Sequence, residues 1–292
     1  MDVQFVCSQV FNGLMLGSFY VLLSLGLTVI FGMLGVVNFA HGVLYMLGAY
    51  CAYSICQVFG KHFYLALLLG PLCVGLIGMG IERIFVRRLY SAPHFYNLLL
   101  TFGIMIATEE IIRLIFTGVG KPFPTPEPFT GSVDLGFMMF PKYRLFIIGV
   151  SAVCAACLTL FIHKTRLGAV LRAGTDDSEM TAALGINVSR VFTLVFGLGA
   201  ALAGLAGVLA APVQNIVPDM GTSFLTETFI VVIIGGMGSV LGSVLGGFIV
   251  GELITLGAVF WPAFANILVY VFMAMVLLLR PRGFFGRAKF FE

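Results

Sequence analysis

The chain has 292 residues, 60% of them hydrophobic and only 10% charged, with a formal net charge of +3 and a mean hydropathy of +1.09. Soluble domains run near 25% charged, so this composition excludes a soluble globular domain and any basic nucleic-acid-binding module; no nucleic-acid partner is expected. Apolar runs long enough to cross a bilayer make it an all-α polytopic membrane protein, a single transmembrane domain over 1–292 with the lipid bilayer as its surroundings.

Met1-Asp2-Val3-Gln4 lacks the basic head of a signal peptide, so the first apolar run, Cys7 to Phe31, is expected to stay as a span. The next stretch, Gly32 to Tyr50, reads GMLGVVNFAHGVLYMLGAY. Gly32, Gly35, Gly42 and Gly48 soften it, and Asn38 and His41 are groups that hydrocarbon disfavours. A helix in lipid must satisfy its own backbone, so a break is tolerated only where freed groups meet protein or a water-lined path. Asn38, His41 and Gly42 are therefore candidates for a translocation route; the plainer role is a buried pair that pins the break. A metal site is not expected, because no second His, Cys or carboxylate lies at ligand spacing.

Further spans follow at Val43–Phe59, Phe63–Phe85 and Phe95–Phe116, with the turn Gly60-Lys61-His62 after the first of them. Inside the last, Glu109 and Arg113 stand i,i+4 in the order that favours an ion pair, next to Glu110. A polar loop over 118–144 holds five prolines, then come a span at Leu145–His163, a hydrophilic segment over 164–190, and a span at Val191–Ala211. The segments 83–88, 164–190 and 280–289 carry eleven of the sixteen Lys and Arg. By the positive-inside rule these are cytoplasmic, which makes 118–144 an extracytoplasmic loop, places the C-terminus inside and the N-terminus outside. The six cysteines sit in or beside apolar runs and imply no disulfide framework; Cys154-Ala-Ala-Cys157 is expected to pack rather than react.

The region 224–260 must enter and leave from one face for this count to close. Phe224 to Gly236 would span only about 20 Å as helix, short of the roughly 30 Å hydrocarbon core. A half-helix that turns at Gly235-Gly236-Met237-Gly238 and returns as a longer helix satisfies both constraints. Gly238, Gly242 and Gly246, with Ser239, Ser243 and Gly247 one step round, form a small-residue packing seam; Gly235, Gly236 and Gly238 also fit a path lining. An eighth hydrophobic segment, Ala263–Leu279, precedes a basic tail. The two Gly-rich interrupted helices share one plan, which suggests pseudo-repeated halves.

Within 164–190, Asp176-Asp177-Ser178-Glu179 fits an N-cap with an acidic third position, opening a short helix that Gly185 ends. A capped inward helix suits docking to a cytoplasmic partner. Ala182 and Ala183 are small enough to seat in a groove, with Arg166 and Arg172 beside them. Gly118-Val-Gly120-Lys121 lacks P-loop spacing, so no nucleotide or other cofactor is expected in this chain, and any ATPase must be another subunit. No catalytic constellation is present, so an enzyme is not expected.

Four motifs, GVVNFAHGVLYMLGAY (35–50), LGAVLRAGTDDSEMTAALGI (167–186), VVIIGGMGSVLGSVLGG (231–247) and RPRGFFG (280–286), occur in this order. Together the chain resembles the permease subunits of bacterial branched-chain amino acid ABC importers, from about Phe11 to Gly286. Glu179-x-x-Ala182-Ala183-x-Gly185 is similar to the short loop by which importer permeases contact their ATPases. The resemblance implies a permease domain in the bacterial inner membrane, a second homologous permease subunit, two cytoplasmic ATP-binding subunits and an extracytoplasmic substrate-binding protein. It implies leucine, isoleucine and valine as cargo, with urea, amides or other amino acids carried by relatives. An ion-coupled secondary transporter, using Glu109, Glu252 and His41, is the competing class.

Overall fold

A computed structural model describes residues 3–35, 37–60, 62–90, 92–134, 136 and 138–286. Lys61, between Gly60 and His62, and the tail beyond Gly286, with Arg287 and Lys289, lie outside the described residues. The fold is all-α: α1 (Val3–Leu34), α2 (His41–Phe59), α3 (Phe63–Ile84), α4 (His94–Phe116), α5 (Lys142–Lys164), α6 (Arg166–Asp176), α7 (Ser178–Ala183), α8 (Val188–Ala210), α9 (Met220–Gly235), α10 (Val240–Phe260) and α11 (Ala265–Leu279). One small antiparallel hairpin, Ser132–Asp134 against Met139–Pro141, interrupts the proline-rich loop.

Among the described residues, seven helical stretches are long and apolar enough to cross a membrane: Gln4–Gly32, His41–Phe59, Phe63–Leu89, Lys142–Lys164, Val188–Ala210, Val240–Phe260 and Pro262–Leu279. The protein is a multi-pass membrane protein. Helix α4 is 23 residues long but carries Glu109, Glu110 and Arg113. Helix α9, at 16 residues, reaches about 24 Å, below the thickness of a hydrocarbon core. It begins four residues before Phe224 and stops at the glycine pair where the sequence placed the turn.

The chain gathers into two compact units, each built from discontinuous segments. One comprises Met1–Ser24, Pro124–Ala155 and Thr226–Glu292; the other comprises Leu25–Phe123 and Ala156–Leu225. In the first, small residues let α10 cross α1 at backbone distance. A Cβ on Gly17 would lie 3.0 Å from Gly247 O, and one on Gly251 would lie 2.5 Å from Gly13 O. Ser24 Oγ donates to Ser243 O at 3.4 Å, and Ser151 Oγ donates to Ser18 O at 3.2 Å.

In the second unit α8 is the centrepiece, packed on both α2 and α3. Cβ atoms on Gly48 or Gly207 would overlap the carbonyl groups of Gly204 and Tyr45 across the α2–α8 crossing. Gly75 and Gly78 of α3 face Gly197 and Ala200 of α8 in the same way. Lipid supplies no hydrophobic drive between helices, so close backbone packing through small residues is what holds these pairs.

Candidate translocation and coupling sites

The break between α1 and α2 is built from side chains that replace lost helical hydrogen bonds. Helix α1 stops with Gly35 in the left-handed region, at φ 63°. Asn38 then closes an Asx turn. Its Oδ1 accepts the Ala40 N–H at 3.0 Å, while its carbonyl accepts the His41 N–H at 3.2 Å. Phe39 N–H donates to Thr101 Oγ1 of α4 at 3.2 Å. Asn38, His41 and Thr101 are all fully buried within the chain. Asn38 Nδ2 is a buried donor without a hydrogen bond. His41 lies against Gly26 of α1, where a Cβ would sit 2.9 Å from its Cε1.

Gly42 meets the start of α9 directly, since a Cβ there would lie 2.6 Å from Gly221 O. One turn on, the Tyr45 and Phe224 rings pack at 5.3 Å. The structure thus brings the early break onto the beginning of the late interrupted region. On α4, Arg113 pairs with Glu109 and Glu110, each at 3.3 Å, and Thr222 donates to Glu109 at 3.2 Å. The expected i,i+4 pair forms and reaches a third partner on α9.

Gly235, Gly236 and Gly238 form the turn between α9 and α10 in the other unit. Gly236 and Gly238 have φ of 100° and 81°, a region where a Cβ is strained. Ser239 caps α10 by accepting the Gly242 N–H at 3.1 Å. The motif at 280–286 closes on this turn. Phe284 N–H donates to Ile234 O at 2.9 Å and Phe285 N–H to Gly235 O at 3.0 Å, satisfying carbonyls that end a helix. Two motifs far apart in sequence are therefore one structural device.

The 164–190 segment is two helices. Thr165 caps α6 through the Gly168 N–H at 3.0 Å, and Arg172 donates to Ile162 O at the end of α5, folding α6 back on that helix. The sequence placed the second cap at Asp176 with Glu179 third; the structure moves it by one residue. Asp176 is the last residue of α6, and Asp177 Oδ1 accepts the Met180 N–H at 2.9 Å. Asp177 wins because its extended backbone, φ −156°, points the side chain back at the next turn. Gly185, at φ 81°, ends the element as expected. Thr181 is buried, while Glu179, Ala182 and Ala183 are exposed. Met180 and Leu184, 60% and 74% exposed, are the apolar knobs of this tip.

Met180, Leu184 and the polar supports Asn97, Thr101 and Glu82 were missed by sequence reasoning. Asn97 and Thr101 gave a usable signal, two polar residues i,i+4 in an apolar run. Glu82 gave none, since its partners Tyr90 and Thr193 are remote.

A family described as branched-chain amino acid transport system / permease component matches residues 9–280. The chain belongs to that family. The permease is 31% identical over 301 residues to the high-affinity branched-chain amino acid transport system permease protein BraD of Pseudomonas aeruginosa, covering 99% of this chain and 98% of that one. It is 30% identical over 296 residues to the permease protein LivH of Escherichia coli strain K12, covering 96% of each. The permease protein LivM of Salmonella typhimurium is 27% identical over 257 residues, 77% of this chain and 58% of its own. No solved structure matches the permease.

Proposed function

We propose that this permease is the membrane-spanning subunit of an ATP-binding-cassette importer that moves leucine, isoleucine and valine into the cytoplasm. The single observation that supports it most is kinship over nearly the whole chain with proteins named for branched-chain amino acid transport. In this reading the chain holds no cofactor, and ATP is bound by two cytoplasmic subunits. A binding protein delivers cargo from outside, and a second homologous permease completes the path in the inner membrane. The N-terminus is outside and the C-terminus inside, a reading the Lys/Arg asymmetry supports.

The break at Asn38, His41 and Gly42 contributes to the route, and so, separately, does the turn at Gly235, Gly236 and Gly238. The tip made by Glu179, Ala182, Ala183 and Gly185, braced by Arg172, receives the ATPase. The exposed Met180 and Leu184 favour this docking role, because a tip meant only for solvent has no use for two large apolar side chains.

The test is uptake of labelled leucine into proteoliposomes holding the permease with its co-encoded subunits and binding protein. Uptake that needs both ATP and the binding protein is expected. Uptake driven by an ion gradient without ATP would replace this reading with a secondary transporter. Cysteine labelling in 118–144 and 164–190 must report opposite faces; labelling of both from one side would reject the orientation.

A further inference from the structure

Two cavities adjoin where α3 ends and α8 begins, both within one compact unit. The first is a polar cleft of about 530 Å³, partly open to solvent, lined by Arg83, Arg87, Asn187, Ser189, Arg190 and Thr193. The second is a narrow apolar crevice of about 40 Å³, walled by Val29, Leu158, Phe161, Leu171 and Val191. Leu194 lines both.

The cleft is electropositive because no carboxylate lines it and the buried Glu82 behind it is already committed. Glu82 is fully buried and accepts from Tyr90 and Thr193, each at 2.6 Å, and from Arg87 at 3.3 Å. Arg87 is fixed further by Thr193 and by Ser189 O at 3.1 Å, and all of these bonds use Nε and Nη2. Its Nη1 stays available to a ligand. Arg83 and Arg190 make no ion pair among the described residues. The N-terminus of α8, capped by Asn187, opens on the same space and adds its partial positive charge.

A guanidinium held in place, flanked by two more, is matched to a phosphate. The apolar crevice decides what carries that phosphate. A free phosphate has nothing to place there, whereas an acyl chain would cover Leu194, which is 54% exposed, and lie along the narrow crevice behind it. Exposed Ile84 and Phe85 border the arginines on the chain's apolar surface. We propose that the paired cavities bind one anionic phospholipid, its phosphate against Arg83, Arg87 and Arg190 and one acyl chain passing over Leu194 along the crevice.

Native mass spectrometry of the full-length permease in detergent tests this, with phosphatidylglycerol, phosphatidylcholine and inorganic phosphate as probes. Wild type should retain phosphatidylglycerol over phosphatidylcholine. Arg83→Gln with Arg190→Gln should cut that retention at least about tenfold, from the loss of two charges near a headgroup. Arg88→Gln, an exposed neighbour outside the cleft, should leave it unchanged, and millimolar inorganic phosphate should not displace the lipid. Equal retention of the two lipids by wild type would overturn the proposal without any variant. Wild-type retention by the double variant, or displacement by inorganic phosphate, would overturn it as well.

Discussion

Replacing Glu82 by alanine tests whether one buried carboxylate fastens α3 to α8. Its side chain is 0% exposed, and its partner Arg87 is 32% exposed. Removing one member of a buried pair costs about 3–5 kcal/mol when the other charge is stranded. Here Arg87 is near enough to water to be rehydrated, which brings the ionic part to about 1–2 kcal/mol. Thr193 loses little, because its hydroxyl also lies 2.9 Å from Ser189 O. Tyr90 is left as a buried donor without its acceptor, adding about 1–2 kcal/mol. The total expected for Glu82→Ala is about 3 kcal/mol. Denaturation in detergent micelles followed by circular dichroism measures it. Glu82→Ala with Arg87→Ala should cost less than the sum of the two single changes, because the second removes the charge the first strands. A single variant within about 0.5 kcal/mol of wild type, or strict additivity in the double variant, would refute the reasoning.

Tyr90 provides a pH test of the same cluster. Burial first, then its hydrogen bond to Glu82, raises the Tyr90 pKa well above the ordinary tyrosine value. The folded protein therefore holds this proton more tightly than the unfolded chain. The resulting stabilisation is complete below about pH 10 and is lost as pH rises toward the folded value. Melting curves should show wild type ahead of Tyr90→Phe at about pH 8 and the gap closing above about pH 10; a constant gap would reject the argument. Gly207→Val places a branched side chain on the Tyr45 carbonyl, so the folded permease should be recovered in far lower yield from membranes. Normal yield would mean that the α2–α8 crossing is looser than described. Asn38→Leu removes the acceptor of the Ala40 N–H and should impair leucine uptake more than assembly; normal uptake would make the break ordinary packing. Ala183→Arg should uncouple ATP hydrolysis from uptake in the reconstituted complex while the permease stays folded, and wild-type values for both would reject the docking role.

The long helices were legible because lipid imposes one rule, an apolar run of sufficient length, and the sequence obeys it from Cys7 to Leu279. The two breaks were legible for the complementary reason: Asn38, His41 and the glycines at 235–238 interrupt that rule where nothing else would. Helix α6 was hidden because an 11-residue amphipathic helix with glycines at 168 and 174 leaves no long apolar run. The cap fell one residue late because Asp176 and Asp177 are chemically equivalent, and only the backbone bend between α6 and α7 chooses between them. The supports of the sites were illegible for another reason. Thr193 against Glu82 and residues 280–286 against α9 are contacts between distant segments, and local pattern carries no trace of them, whereas Thr101 under the break showed at least as a polar residue in an apolar run. The proline-rich loop concealed its hairpin because both strands are three residues long.

The junction of residues 280–286 with α9 also fixes an order of events during synthesis. Until Phe284 and Phe285 exist, the carbonyls of Ile234 and Gly235 have no donors from this segment. An apolar helix of 16 residues with open carbonyls at its tip is a poor guest in hydrocarbon. The hairpin of α9 and α10 is therefore expected to close fully only once that segment has been made. Ribosome-bound chains halted before residue 280 would hold this hairpin exposed to protease, and those released after 286 would hold it shut.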